Sequence, residues 1–339
     1  MSTLRIGFYM KWPKYSLQNA NAIVLGDEIY IESLCASLKK TCGVDATLYA
    51  PNYLPTKSVD VMIYVNDSRP VAQWAAKHVL YLQNPYFEGS YKKLKYLRKY
   101  RYDGYIFISK KLQKRQMSDG YGGAFLPFGV DTLQYSPQKP QKKYMFDVTF
   151  VGNDFKEAAR TITYLLPLMR YNFGLFGKWS DAPHPDYIQE IAPFLHNWRY
   201  SFRNWKVRHK ARRSVMDLYF ICRGKIPQRE LPPLYSSAKI NINYATKDTV
   251  DWDVITLRTL EVLACGGFLM TDHIPSEDTE LKKCVVVTRG GSNMIRQIDY
   301  YLAHPEERRQ IAERGLRYAR KYASIDDRAR LLMRYIRSL

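Results

Sequence analysis

Short apolar runs that alternate with longer stretches of helical period narrow the folds open to this chain more than any other feature. In the first part they run Leu4 to Met10, then a helical stretch Gly26 to Lys40, then Ala46 to Tyr49, Val59 to Val65, Val79 to Leu82 and Tyr105 to Ser109. Strands separated by helical stretches predict a parallel sheet with right-handed crossovers. In such sheets ligands bind beyond the carboxyl ends of the strands. The polar residues just after the runs are therefore the ones to watch: Lys11, Trp12, Asn66, Asp67, Gln83, Asn84 and Ser109.

A turn-rich segment from Phe128 to Lys143 carries two prolines and little apolar periodicity, and reads as a linker. Beyond it the pattern resumes, with strands expected at Asp147 to Val151, Phe173 to Phe176, Lys239 to Asn243, Gly267 to Met270 and Val285 to Thr288. A helix is expected from about Phe155 to Met169, and a pair of charged helices from Pro305 to Leu339 splits near Ala323 to Asp326. At 339 residues and 46% apolar composition, the chain can bury a core in each of two α/β domains. The division expected is 1–130, a linker at 131–145, a second domain at 146–320 with an insertion at 180–218, and a last helix at 321–339.

No run of about 18 uncharged apolar residues is present, and the first residues read as a strand and not a leader, so a soluble cytoplasmic protein is expected. Five scattered cysteines without paired spacing argue against a disulfide framework or a zinc site. The 52 Lys and Arg against 32 Asp and Glu leave a formal charge of +20, which favours a polyanionic partner. Two stretches concentrate it. One, Tyr91 to Tyr102, contains Lys92, Lys93 and Lys95 and is followed by Lys110, Lys111, Lys114 and Arg115. The other, Trp198 to Arg213, interleaves cations with aromatics, and Arg199, Arg203, Trp205, Lys206 and Arg208 are its candidates for phosphate contact and base or sugar stacking. The plainer reading of this second stretch is an amphipathic helical hairpin with Trp198, Phe202 and Trp205 on one face.

The chemistry-bearing segment is Asp253 to Asp272, where two carboxylates, Asp253 and Glu261, stand eight positions apart and precede Ala264-Cys265-Gly266-Gly267. A helix beginning near Thr256 would present free N–H groups and a positive dipole end to an anion, with Glu261 about one and a half turns further along. A phosphate can dock at such a tip, and the carboxylate further in can accept hydrogen bonds from sugar hydroxyls. An ordinary amphipathic helix packed by Leu257, Leu260, Val262 and Leu263 is the competing reading.

This segment resembles the signature of nucleotide-sugar glycosyltransferases of the GT-B type, glycosyl transferases group 1, and looks most like the branch with the spore-maturation CgeB-like proteins. Leu126 to Asp131, Phe150 to Asn153, Phe176 to Trp179, Leu234 to Ile240 and Tyr301 to Arg308 fit the same template in order, over roughly the C-terminal two thirds. The resemblance implies two Rossmann-like domains facing a cleft, an acceptor domain first and a donor domain second, with the last helix crossing back. It implies that Glu261 binds the ribose and that Asp253 faces the donor sugar, although Asp253 stands where the superfamily usually carries Glu. Gly152, Asn153, Thr256, Leu257, Arg258, Lys178 and Lys225 are the candidates for holding the diphosphate, and no metal is then required. A retaining enzyme needs no strong base, whereas an inverting one would place it in the first domain, where Asp27, Glu28 and Asp67 are candidates by position. Asp27 and Glu28 also fit an acidic first helical turn, and Asp67 a helix cap.

The function expected is transfer of a sugar from a nucleotide-diphosphate sugar, with a UDP-sugar as donor, to a hydroxyl on a polyanion such as DNA with a hydroxymethylated base, in viral DNA modification and hence in a host cytoplasm. Transfer to a cell-surface polymer, glycolipid or protein is the alternative. A non-catalytic nucleic-acid-binding protein on the same shell is the third.

Overall fold

The computed structural model describes residues 3–16, 18, 26–66, 68–83, 96–153, 156, 158–179 and 216–339. Asp67, Asn84, Lys92, Lys93, Lys95, Arg199, Arg203, Trp205, Lys206 and Arg208 lie outside these residues, as does nearly all of the expected insertion.

The N-terminal lobe runs β1 (Arg5–Tyr9), α1 (Gly26–Cys42), β2 (Asp45–Tyr49), β3 (Val59–Val65), β4 (Ala75–Leu82), β5 (Gly104–Phe107), α2 (Lys110–Ser118) and β6 (Ala124–Phe125). Its strands pair in the order β2-β1-β3-β4-β5-β6, every pair parallel. Central strands covered on both faces must be apolar throughout, which is why six of the seven residues of β3 are buried. Helix α1 lays Tyr30, Ile31, Leu34, Cys35 and Leu38 against the core and carries Asp27 and Glu28 at its positive end, with Lys39 and Lys40 at the other.

The C-terminal lobe contains β7 (Val148–Val151), α3 (Ala158–Tyr164), β8 (Phe173–Phe176), α4 (Met216–Ile221), α5 (Leu231–Ser237), β9 (Ile240–Asn243), α6 (Lys247–Asp251), α7 (Leu257–Ala264), β10 (Leu269–Thr271), α8 (Thr279–Lys282), β11 (Val286–Val287) and α9 (Gly291–Ala303). Its sheet has the order β11-β10-β9-β7-β8, again parallel. The helix expected up to Met169 stops at Tyr164, and Leu166–Arg170 continues as a 3₁₀ turn. Pro167 lacks the N–H that an α-helix would need there.

The chain ends in α10 (Pro305–Tyr322) and α11 (Ile325–Ile336). The second of these lies on the N-terminal lobe: Ser37 Oγ and Lys40 Nζ reach Asp326 at 2.6 and 3.0 Å, and the Tyr335 hydroxyl accepts the Tyr105 N–H at 2.9 Å. At the crossing, Val130 N–H donates to Ala323 O at 2.8 Å and Ile325 N–H to Val130 O at 2.9 Å. The buried Arg328 guanidinium adds a bond to Phe128 O at 3.1 Å. One apolar core runs through this junction, from Ile31 and Leu34 through Phe128, Val130 and Ile325 to Leu260 and Leu263. The proline-bearing segment before β7 is bound to the C-terminal lobe, with Gln138 and Gln141 N–H groups donating to Ser236 and Ser237 Oγ at 3.0 and 2.9 Å.

Candidate active site

Three turns at one end of the C-terminal sheet converge. Gly152-Asn153 follows β7, Gly177-Lys178 follows β8, and Gly224-Lys225 follows α4. Gly177 N–H donates to Gly224 O at 2.9 Å, Lys178 N–H to Asn153 Oδ1 at 2.7 Å, and Trp179 Nε1 to Gly152 O at 2.9 Å. Gly152 N–H, expected at a phosphate, is taken by Phe176 O at 2.8 Å, because the β7–β8 ladder runs on through this residue. Gly177 has φ +148, and a Cβ there would lie 2.0 Å from Gly152 O, so no other residue fits. The Lys225 amine is held below the ordinary lysine range, first by burial and then by the neighbouring charge of Lys178. An ammonium whose charged form is disfavoured by burial and a neighbouring cation is stabilised by an anion beside it.

Helix α7 starts beyond the same end of the sheet and is capped as its sequence predicts. Thr256 is extended, and its Oγ1 accepts the Thr259 N–H at 3.4 Å. Asn243, the last residue of β9, donates to Thr256 Oγ1 at 2.9 Å and Thr259 Oγ1 at 3.1 Å, which ties the helix tip to the sheet. Leu257 reaches across to the other lobe, and its Cδ1 lies 3.5 Å from where a Cβ on Gly26 would sit. The amino ends of α1 and α7 therefore face each other between the lobes.

Glu261 is 8% exposed, yet its surroundings are polar. Its Oε2 stands 3.5 Å from the Tyr235 hydroxyl and 3.7 Å from Arg258 NH1, and Arg258 in turn donates to Tyr235. The Tyr135 hydroxyl accepts Gln228 Nε2 at 2.8 Å and faces the same carboxylate. Burial, followed by the Glu261 charge, pushes Tyr135 far above the usual phenol range. Arg258, expected at a distal phosphate, is turned instead onto Tyr235 and Glu261, because that pair supplies the acceptors nearest its fork.

Asp253 and Glu261 do not share one pocket wall. Asp253 has a left-handed backbone, φ +60, and its carboxylate accepts the Ser276 N–H at 3.0 and 3.1 Å and Ser276 Oγ at 2.8 Å. His273 Nε2 lies 3.1 Å from its Oδ1. Burial holds the His273 ring below the usual imidazole range, with Asp253 opposing. Asp253, Ile255 and Leu260 line a cavity of about 620 Å³ between the lobes, whose other wall includes Lys110, Lys111 and Phe128. Lys110, Lys111 and Lys114, read above as part of a basic stretch, are tied across this gap. Lys110 and Lys114 pair with Glu277 at 3.2 and 2.6 Å, and Lys111 Nζ donates to Asp251 O at 2.5 Å. The Ser109 hydroxyl caps α2 and also donates to Trp252 O.

On the N-terminal side, Asp27 Oδ2 accepts Asn66 Nδ2 at 3.1 Å. Asn66 is buried at φ +59 and takes the Gln83 N–H on Oδ1 at 3.0 Å. The buried Gln83 side-chain amide makes no hydrogen bond of normal geometry among the described residues. Glu28 is committed to structure, accepting Tyr15 and Ser16 N–H groups at 2.6 and 3.1 Å. Among the described residues no three His, Cys, Asp or Glu side chains converge as metal ligands, and no helix is long and apolar enough to cross a membrane. The residues that sequence reasoning passed over are Asn243, Tyr135, Tyr235 and Gln228. Only Asn243 carried a signal, as the polar end of a strand.

Residues 157–334 match the family described as glycosyl transferase-like. No curated protein matches the chain in sequence. Several solved structures match over their full lengths. Sucrose-phosphate synthase from Thermosynechococcus elongatus is 11% identical with a TM-score of 0.64, over 99% of this chain and 98% of its own. HepE from Anabaena, in complex with UDP and glucose, is 10% identical with a TM-score of 0.65, over 99% and 100%. The T4 phage BGT in complex with its UDP-glucose substrate is 13% identical with a TM-score of 0.61, over 99% of each chain. At these identities the likeness establishes the fold, two parallel-sheet α/β domains of the GT-B type.

Proposed function

The chain belongs to the glycosyl transferase-like family, and from that premise we propose that it moves a sugar from a UDP-sugar to a hydroxyl on a polyanionic acceptor, DNA bearing a hydroxymethylated base. The observation that carries the donor half is the convergence of the Gly152, Gly177 and Lys225 turns, which are knitted by backbone hydrogen bonds around Lys178 and Lys225. Bond breaking at the anomeric carbon leaves charge on the diphosphate. Fixed N–H groups and cations aimed at that charge lower the barrier without reorganising. Gly152 lets the diphosphate approach the backbone closely. The Asn153 N–H and the α7 tip at Thr256 and Leu257 supply the donors, and Lys178 and Lys225 neutralise the phosphates. Glu261 accepts the ribose hydroxyls, held by Arg258 through Tyr235. Asp253 fixes the sugar from the cavity side. Asp27, oriented by Asn66, takes the acceptor proton. No step needs a metal, so turnover should survive EDTA.

The acceptor half rests on the +20 charge, far beyond what a diphosphate requires. It rests also on the fold shared with the DNA modifying enzyme β-glucosyltransferase. Membership of the CgeB-like branch belongs to the same reading, on the residues from Leu257 to Asp272. The test is a panel of UDP-, GDP- and dTDP-sugars against hydroxymethylated and plain DNA, followed by nucleoside mass analysis. A gain of one sugar on the modified nucleoside supports the reading. Absence of any gain, with sugar appearing on an anionic surface polymer instead, overturns the DNA acceptor. Nucleotide-sugar turnover that persists in Glu261→Ala overturns the donor site.

A further inference from the structure

The placement of Asp253 depends on both lobes. A residue other than glycine at φ +60 is strained and persists only where its surroundings hold it. Here the residues that hold it are themselves fastened to α2 of the N-terminal lobe. Trp252, directly before Asp253, gives its carbonyl to the Ser109 hydroxyl. That hydroxyl is buried and takes the Leu112 N–H at 3.1 Å as the cap of α2, so a lone pair serves the helix and its single proton goes to Trp252. The Trp252 ring packs on the apolar cluster of Leu82, Phe107 and Leu112, whose other members among the described residues all belong to the N-terminal lobe. On the far side, Ser276 pins the Asp253 carboxylate through its N–H at 3.0 and 3.1 Å and its Oγ at 2.8 Å. The next residue, Glu277, is held by Lys110 at 3.2 Å and Lys114 at 2.6 Å. These pairs are about half exposed and screened by water, so the buried Ser109 bond carries more of the hold.

We propose that α2 is a positioning element for the donor sugar: Ser109 through Trp252, and Lys110 with Lys114 through Glu277 and Ser276, set the Asp253 carboxylate, so that the grip on the sugar depends on contact between the lobes. This rests on the donor reading given above, in which Asp253 fixes the sugar. Such a device acts on the sugar and not on the nucleotide. The quantity to measure is therefore the ratio of UDP-glucose to UDP affinity, from calorimetric titration of the whole chain with each. Asp253→Asn should lower that ratio about tenfold, as for loss of a hydrogen bond to a charged group. Ser109→Ala should lower it about threefold or more with UDP affinity unchanged, and Ser109→Thr, which keeps the hydroxyl, should restore it. Glu277→Gln should lower it about twofold. Neither loss should appear in the Asp253→Asn background, because both act through that carboxylate. A merely structural role would weaken UDP and UDP-glucose alike. An unchanged ratio in Ser109→Ala, or a loss that adds to that of Asp253→Asn, overturns the inference and leaves the donor reading intact. A wild type that binds no UDP, or a ratio indifferent to Asp253→Asn, overturns that reading and the inference with it. If Ser109→Ala fails to fold, the ratio in Glu277→Gln, at a half-exposed side chain, decides in its place.

Discussion

The two lobes meet with different chemistry at their strand ends. The C-terminal lobe presents glycine turns, a helix tip and two lysines, so its groups are mostly backbone, placed by the fold itself. The N-terminal lobe presents side chains: Asp27, Asn66, the buried amide of Gln83 and the Ser109 hydroxyl. A diphosphate is common to every nucleotide-diphosphate sugar and can be read by N–H groups and charge. An acceptor differs from enzyme to enzyme and must be read by side chains. The contrast explains why a donor class follows from a motif while an acceptor does not.

Four substitutions would break or sharpen this contrast. The largest effect is expected at Asp27, where Asp27→Asn should lower turnover by roughly 10²–10⁴-fold if it is the acceptor base, with UDP affinity unchanged in calorimetry. Turnover within a factor of two of wild type would remove the N-terminal lobe from the chemistry. Next comes Gly177→Ala. Its Cβ would meet Gly152 O at 2.0 Å on a backbone at φ +148, so a loss of about 2–3 kcal/mol in urea unfolding is expected together with loss of UDP binding. A variant as stable as wild type would mean that the turns adapt, contrary to a site made of fixed backbone. Asn243→Ala removes the strap between β9 and the α7 cap and should cost about 1 kcal/mol, with a smaller loss in UDP affinity. Equal UDP affinity would show that the tip holds without it.

The smallest effect is a pH slope. His273 is buried, and its folded pKa lies below the ordinary 6.5. The unfolded ring takes a proton that the folded ring refuses, so this contribution is complete above about pH 6.5 and is lost as pH falls toward the folded value. His273→Asn should flatten the acid limb of the stability curve, measured as Tm from pH 7 to pH 5. A limb of unchanged slope would place the acid sensitivity elsewhere.

The fold was legible because strands buried on both faces cannot hide: Val59–Val65 reads as one apolar run and is one strand. Edge strand β6 escaped, since two half-buried residues, Ala124 and Phe125, leave no pattern. Of the site, Thr256 was legible as a cap and Gly177 as part of a glycine turn, both local properties of the chain. The direction of the Arg258 side chain was not, because it is set by Tyr235, 23 residues away. Nor was the burial of Tyr135, which sits in a stretch whose composition says only that it turns. Asp253 and Glu261 looked like one pair from their spacing. The left-handed backbone at Asp253, pinned by Ser276, sends its carboxylate toward the cavity shared with α2.

The chain passes between its halves twice, and both passages lie side by side, bonded as a two-strand ribbon at Val130 and Ser324. Lys110 and Lys114 at Glu277 and Ser109 at Trp252 tie the lobes a second time beside the cavity, so drawing the halves apart would break polar bonds in two places and not one.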